Sequence, residues 1–121
     1  MMTVFQKFEH TPSKEIIPGF HARLIHTDKQ TLSLVTTSQG SILPEHHHMH
    51  EQISLVMEGE FEMTVDGQTQ VCQPGDVVII PSNAVHSGKA ITDCIILDTF
   101  NPVREDYRLL AVSPKERRKQ N

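Results

Sequence analysis

The chain has no tryptophan, one tyrosine and five phenylalanines, and its apolar share is 37%. It has no apolar stretch near the roughly 18 residues that span a bilayer, so no membrane segment is expected. The N-terminal Met1-Met2-Thr3-Val4-Phe5-Gln6-Lys7-Phe8 has no charged head followed by a continuous apolar run, so it does not read as a signal peptide. Cytoplasmic residence is expected. Cysteine is scarce: Cys72 and Cys94 lie far apart in strand-like sequence, and both are expected to be buried free thiols rather than a disulfide. Positive charge is in deficit as well. Eleven Lys and Arg stand against fifteen Asp and Glu, for a net charge of −4, which leaves no electrostatic footprint for nucleic acid. The one basic cluster, Lys115-Glu116-Arg117-Arg118-Lys119, follows Pro114 and reads as a solvated tail over 114–121.

Helical periodicity is nearly missing too. In its place, short alternating runs recur between turn signals, the pattern of an all-β sandwich or barrel. Strands are expected over 20–26, 30–38, 52–57, 60–66, 68–72, 77–80 and 93–100. Asp66-Gly67 is the turn of a hairpin whose second arm starts at Gln68. Val77 to Ile80 is wholly apolar and is expected to be buried on both faces. Tyr107 to Val112 fits a short helix or an edge strand. A chain of 121 residues makes one domain, with its core over about 14–108.

Histidine is what the chain has in abundance. Four of its eight histidines fall within 46–50, inside Gly40-Ser41-Ile42-Leu43-Pro44-Glu45-His46-His47-His48-Met49-His50-Glu51-Gln52. The bland readings are a solvated loop or an expression tag, but a tag would lie at a terminus. If the stretch is extended, His46, His48 and Gln52 project from one face, suitable geometry for a metal. His50 falls outside that spacing and is expected at the rim or supporting a ligand rather than on the metal; His47 should point away. His10, His21 and His26 are expected to be surface or satisfied residues. The pair His50-Glu51 would need a histidine at position 54 to make a zinc-protease helix, and that position is Ser54.

Two spaced patterns complete the picture. The first runs from Gly40 through His46, His48 and Gln52 to Gly59; the second runs from Gly75 through Pro81 and Asn83 to His86. Together they resemble the paired motifs of the cupins. That resemblance implies a double-stranded β-helix, or jelly-roll, barrel and, residue by residue, the metal ligands His46, His48, Gln52 and His86. The chain departs from the usual cupin pattern in three places: Gln52 replaces a common Glu, Asn83 a common Gly and Ala90 a common Asn. A glutamine oxygen can ligate but carries no charge, so a divalent ion would keep its full charge as a Lewis acid. One divalent transition metal is expected, Zn, Ni, Fe or Mn.

In the last strand Cys94, Ile96, Asp98 and Phe100 share one face and Ile95, Leu97 and Thr99 the other, both largely apolar. Asp98 is therefore paired, metal-linked or functional, because an unpaired buried carboxylate is costly. The structural alternatives are a strand end that reaches solvent, or an ion pair with Arg104 or Arg23. A second resemblance bears on this. Asp98-Thr99-Phe100-Asn101-Pro102-Val103-Arg104-Glu105-Asp106-Tyr107, together with Ile17-Pro18-Gly19-Phe20-His21-Ala22-Arg23-Leu24-Ile25-His26 and Leu43-Pro44-Glu45-His46, is similar to the KdgF group of small cupins, over roughly 14–108. The group has Gln as a ligand. It converts 4,5-unsaturated monouronates to linear 4-deoxy-5-keto uronates in pectin and alginate breakdown.

What this implies is an enzyme for a small acidic sugar. Asp98 and Arg104 would be the catalytic residues, with Phe100 and Arg104 binding substrate. For Arg104 the ordinary alternative is a surface ion pair with Glu105 or Asp106. Rival functions are a non-catalytic metal- or sugar-binding cupin, or an Fe or Cu dioxygenase on the same ligands. A homodimer is expected from the limited core of so short a chain, paired through sheet faces or exchanged edges, with Val4, Phe5 and Phe8 available.

Overall fold

A computed structural model describes residues 4–111. The strand-like runs form ten strands: β1 (Ser13–Ile17), β2 (Phe20–His26), β3 (Thr31–Thr37), β4 (Ile42–His46), β5 (Glu51–Glu58), β6 (Phe61–Val65), β7 (Gln68–Cys72), β8 (Val77–Ile80), β9 (His86–Ala90) and β10 (Cys94–Asn101). They make a six-stranded sheet in the order β1-β2-β3-β10-β5-β8 and a four-stranded sheet in the order β4-β9-β6-β7. All pairings are antiparallel. The two sheets enclose one core in which Phe61 sits edge-on to Phe20, ring centroids 6.2 Å apart. This is the jelly-roll barrel that the motif pair implied.

The turn chemistry works as the residues require. Asp66 (φ 47°) and Gly67 (φ 82°) both take positive φ, as the tight β6–β7 hairpin demands. Asn83, at φ 64°, occupies the left-handed region where Gly is common and Asn is the best-tolerated substitute. The segment that was open between helix and edge strand is helical: α1 (Glu105–Arg108) is followed by a 3-10 turn over Leu109–Ala111. The basic tail 114–121 lies outside the described residues.

Burial corrects one strand. The run Val77–Ile80 is not buried on both faces: Ile80 is wholly inside, whereas Val77 and Ile79 are 57% and 68% exposed. The reason is position, since β8 is the edge of its sheet and, among the described residues, the outward-facing Ile53, Val77 and Ile79 all stay exposed. On β10 the inner face is buried at Cys94, Ile96 and Phe100, while the outer Ile95, Leu97 and Thr99 are half-buried. Cys72 and Cys94 are buried free thiols.

Candidate metal centre and its cavity

His46 ends β4, His48 lies in the following loop, Gln52 is on β5 and His86 starts β9. One extended segment therefore does not carry the first three, contrary to the strand expectation; they converge because the chain leaves one sheet and enters the other between them. A bulge helps aim the first. Leu43 pairs with Gly88 and His46 with His86, so one extra residue is accommodated at Pro44-Glu45. The loop is held from below: Asn83 N–H donates to the His48 carbonyl (2.8 Å) and Ser82 Oγ to the Met49 carbonyl (2.6 Å).

His46, His48 and His86 each bring a ring nitrogen into one cluster, all within 4.8 Å of one another. Each ring spends its Nδ1 on a backbone carbonyl: His46 on Pro44 (2.7 Å), His48 on His50 (2.9 Å) and His86 on Ala84 (2.9 Å). A carbonyl only accepts, so Nδ1 carries the proton and Nε2 keeps its lone pair for the cluster. His48 Nε2 then lies 3.1 Å from Gln52 Oε1. Two lone pairs face each other there with no proton to share, an arrangement that suits a cation. Burial, and then the Arg104 charge, push His48 down to about 4, and burial lowers His86, so both stay neutral as ligation needs. These three histidines could hold an ion, with Gln52 as a fourth donor.

The remaining histidines fall as expected. His47 is exposed, and His50 contributes its carbonyl to His48. His10 is exposed, His21 lies 3.4 Å from Glu15, and His26 Nδ1 is 2.8 Å from Thr31 Oγ1.

The cluster opens on a cavity of about 370 Å³ that also reaches Asp98, Phe100 and Arg104. Asp98 is paired, but with neither arginine. Its register partner on β5 is Ser54, whose hydroxyl donates to Asp98 Oδ1 at 2.5 Å and accepts from Gln52 Nε2 at 2.9 Å. Arg23 instead donates to the carbonyls of Phe8 and Thr11. Burial lifts the Asp98 carboxyl to about 6, against the downward pull of Ser54, Gln52 and Arg104. Arg104 does pair with Asp106, but not at the surface: its side chain is 9% exposed. Nε and Nη2 meet the two Asp106 oxygens at 2.9 and 2.7 Å, and the guanidinium lies against the rings of both Phe100 (4.7 Å) and Tyr107 (3.8 Å), which meet each other edge-on. Burial opposes its charge, yet the Asp106 hydrogen bonds keep its pKa above the ordinary value. With five N–H groups, Arg104 keeps donors beyond the two on Asp106.

Ser54, Asp106 and Tyr107 line the same cavity and were not singled out as site residues in the sequence. Ser54 had a signal: it shares strand parity with Gln52, a hydroxyl on an inward face otherwise headed for the core. Tyr107 is the chain's only tyrosine and follows Arg104 by three residues. Ile16, Phe20, Val35, Phe61 and Ile96 supply apolar lining to the same cavity.

The barrel, the two histidine motifs and the match of residues 33–100 to the cupin domain model define the class: this chain belongs to the cupin domain family. Within it, the chain resembles KdgF. It is 28% identical to the pectin degradation protein KdgF of Dickeya dadantii over 102 residues, covering 82% of this chain and 93% of that protein. The solved structure of KdgF from a Halomonas species superposes with a TM-score of 0.79 at 28% identity, over 88% of this chain and 99% of that one. An RmlC-like cupin from Shewanella frigidimarina superposes with a TM-score of 0.83 at 31% identity, over 88% and 96%. No helix among the described residues is long and apolar enough to cross a membrane.

Proposed function

We propose that this protein is a metal-dependent enzyme that opens 4,5-unsaturated monouronates to linear 4-deoxy-5-keto uronates in pectin or alginate breakdown. The observation that carries this reading is one cavity joining a three-histidine cluster, a carboxyl poised near neutrality and a buried guanidinium. The similarity to KdgF supports it. His46, His48, Gln52 and His86 would hold one divalent transition metal, Zn, Ni, Fe or Mn. When bound, it supplies a Lewis acid that polarises a substrate oxygen or water.

The rest falls to the chain's own groups. The substrate is a cyclic enol ether carrying a carboxylate. Asp98, with a pKa of about 6, holds a proton in part of the population near neutral pH. It delivers that proton to C4 and water adds at C5. The hemiketal then collapses as its hydroxyl proton passes to the ring oxygen and the bond from C5 to that oxygen breaks. This leaves a C5 ketone and a C1 hydrate that loses water to give the aldehyde. Asp98 recovers a proton from the added water, so the cycle needs no redox partner. Arg104 grips the substrate carboxylate with the donors Asp106 leaves over, and Phe100 packs beneath the guanidinium and against the sugar ring. The cytoplasm is the location that goes with this reading.

The test is metal analysis followed by an ultraviolet assay on unsaturated galacturonate and mannuronate. The expected result is loss of enol absorbance faster than the spontaneous rate and abolished by chelation. No acceleration with either sugar would overturn the reading.

We infer also that the protein works as a homodimer paired through the outer face of the six-stranded sheet. Leu34, Leu97, Leu55 and Val77 are register partners in one row across β3, β10, β5 and β8, and Leu32, Thr99, Ile53 and Ile79 form the next. Ile53, Met57, Val77 and Ile79 alone present on the order of 400 Å² of apolar surface, as much as the largest patch of a typical monomer. That is half of the about 800 Å² per partner in a standard interface, and the half-exposed leucines of the two rows extend it.

A further inference from the structure

The four candidate ligands are aimed by unequal means. The three imidazoles lean on backbone carbonyls, which no substitution removes. Gln52 leans on a side chain. A carboxamide has an oxygen end and an amino end of nearly the same shape, and only the oxygen end offers a lone pair to a cation. What decides between them is a set of three groups on adjacent strands, in which Gln52 bonds to Ser54 and also to Asp98 itself. The Ser54 hydroxyl spends its one proton on Asp98 Oδ1, 2.5 Å away. Ser54 Oγ is then left to accept, and Gln52 Nε2 donates to it at 2.9 Å. The Gln52 oxygen is thereby turned toward His48 Nε2, 3.1 Å away. Ser54 and Gln52 are 1% and 7% exposed, so this aim is set inside the barrel.

We propose that Ser54 is a positioning residue of the metal centre: its hydroxyl reads the polarity of Asp98 and imposes it on Gln52, presenting Oε1 rather than the amino group to the three imidazoles. Through the same hydroxyl, the carboxyl on β10 and the ligand on β5 form one unit. The proposal rests on reading His46, His48, Gln52 and His86 as ligands, and it stands apart from the choice of substrate.

A double-mutant cycle read by Zn²⁺ affinity, in competition with a chromophoric chelator, tests it. Ser54→Ala should weaken Zn²⁺ binding about 10- to 100-fold, the usual effect of removing a partner that orients a ligand. Gln52→Glu replaces the amide by a carboxylate with two equivalent oxygens and no wrong end. In that background Ser54→Ala should change affinity by less than about 3-fold. An equal loss in both backgrounds would make Ser54 a packing residue and overturn the proposal, as would an unchanged affinity in Ser54→Ala alone. Ser54→Thr and Ser54→Val, which match in shape and differ by the hydroxyl, keep the test decisive should alanine impair folding: Thr should retain Zn²⁺ binding and Val lose it, and equal affinities would overturn the proposal. These readouts need no sugar, so a protein that follows the cycle and opens no unsaturated uronate would refute the proposed function and leave Ser54 in place.

Discussion

Replacing Asp98 with Asn should move activity and stability in opposite directions. Burial is the largest influence on this carboxyl, and it carries the pKa from an ordinary value of 3.8 to about 6 despite Ser54, Gln52 and Arg104. A shift of about two units corresponds to about 3 kcal/mol of preference for the neutral form in the folded chain. The folded pKa lies above the unfolded one, so the folded state holds the proton more tightly. The penalty is therefore missing below about pH 4, grows as the pH rises to about 6, and stays constant above that. Asn matches Asp in shape and carries no charge. The metal-free variant should then be more stable than the parent by about 1–3 kcal/mol near pH 8, a gain that fades toward about pH 4. Ring opening should fall about 10²- to 10⁴-fold, the usual contribution of a placed acid–base group. Zn²⁺ affinity should change little, because the Asn oxygen can still accept from Ser54. Urea unfolding in chelator across that pH range gives the stability, and the absorbance assay gives the turnover. A metal-free Asp98→Asn no more stable than the parent near pH 8 refutes the burial argument. Near-parental turnover with metal bound removes Asp98 from proton transfer.

Arg104→Lys cannot reproduce a fork on Asp106 or a plane packed against Phe100 and Tyr107; KM for the uronate should rise about 10-fold or more, out of proportion to any loss in urea stability, and parallel losses would return Arg104 to a structural role. In Gly88→Ala the new Cβ would stand 2.3 Å from Phe61 Cε1 and 3.0 Å from the Glu62 carbonyl. The cost expected by urea unfolding is about 1–3 kcal/mol, part of it recovered by Phe61→Leu, and an unchanged midpoint would show that the ring yields freely. Ile79→Lys puts a charge in the outer apolar face. Sedimentation should change from a species of about twice the 13.7 kDa chain to the single chain, and a parent that already sediments as one chain refutes the dimer.

β2, β3 and β6 were legible because buried residues alternate along one face, and β7, exposed except at Cys72, because the Asp66-Gly67 turn announces it. Three were not read as strands. β1 carries Lys14 and Glu15, β4 contains Pro44, and β9 is His86-Ser87-Gly88-Lys89-Ala90, with no alternation at all. Their extended form comes from neighbours: β9 is held between β4 and β6. Even spacing singled out His46, His48 and Gln52, which the fold does bring together, but for a reason the barrel does not use, since they sit on three successive pieces of chain rather than one strand. The distance between His46 and His86 in sequence hides that they are register partners. Ser54 was passed over because hydrogen-bond polarity, unlike periodicity, appears only once Asp98 on β10 is set beside β5.

His46 and His86 belong to the four-stranded sheet and Gln52 to the six-stranded one. An ion shared among them would be a cross-link between the two halves of the barrel. At free metal about a thousand times its dissociation constant, such a link adds about 4 kcal/mol to the folded state, an amount comparable with the whole stability of many small domains. The lifetime of this chain against proteases should then follow the metal supply of its surroundings. A cell short of the ion would then lose the protein itself.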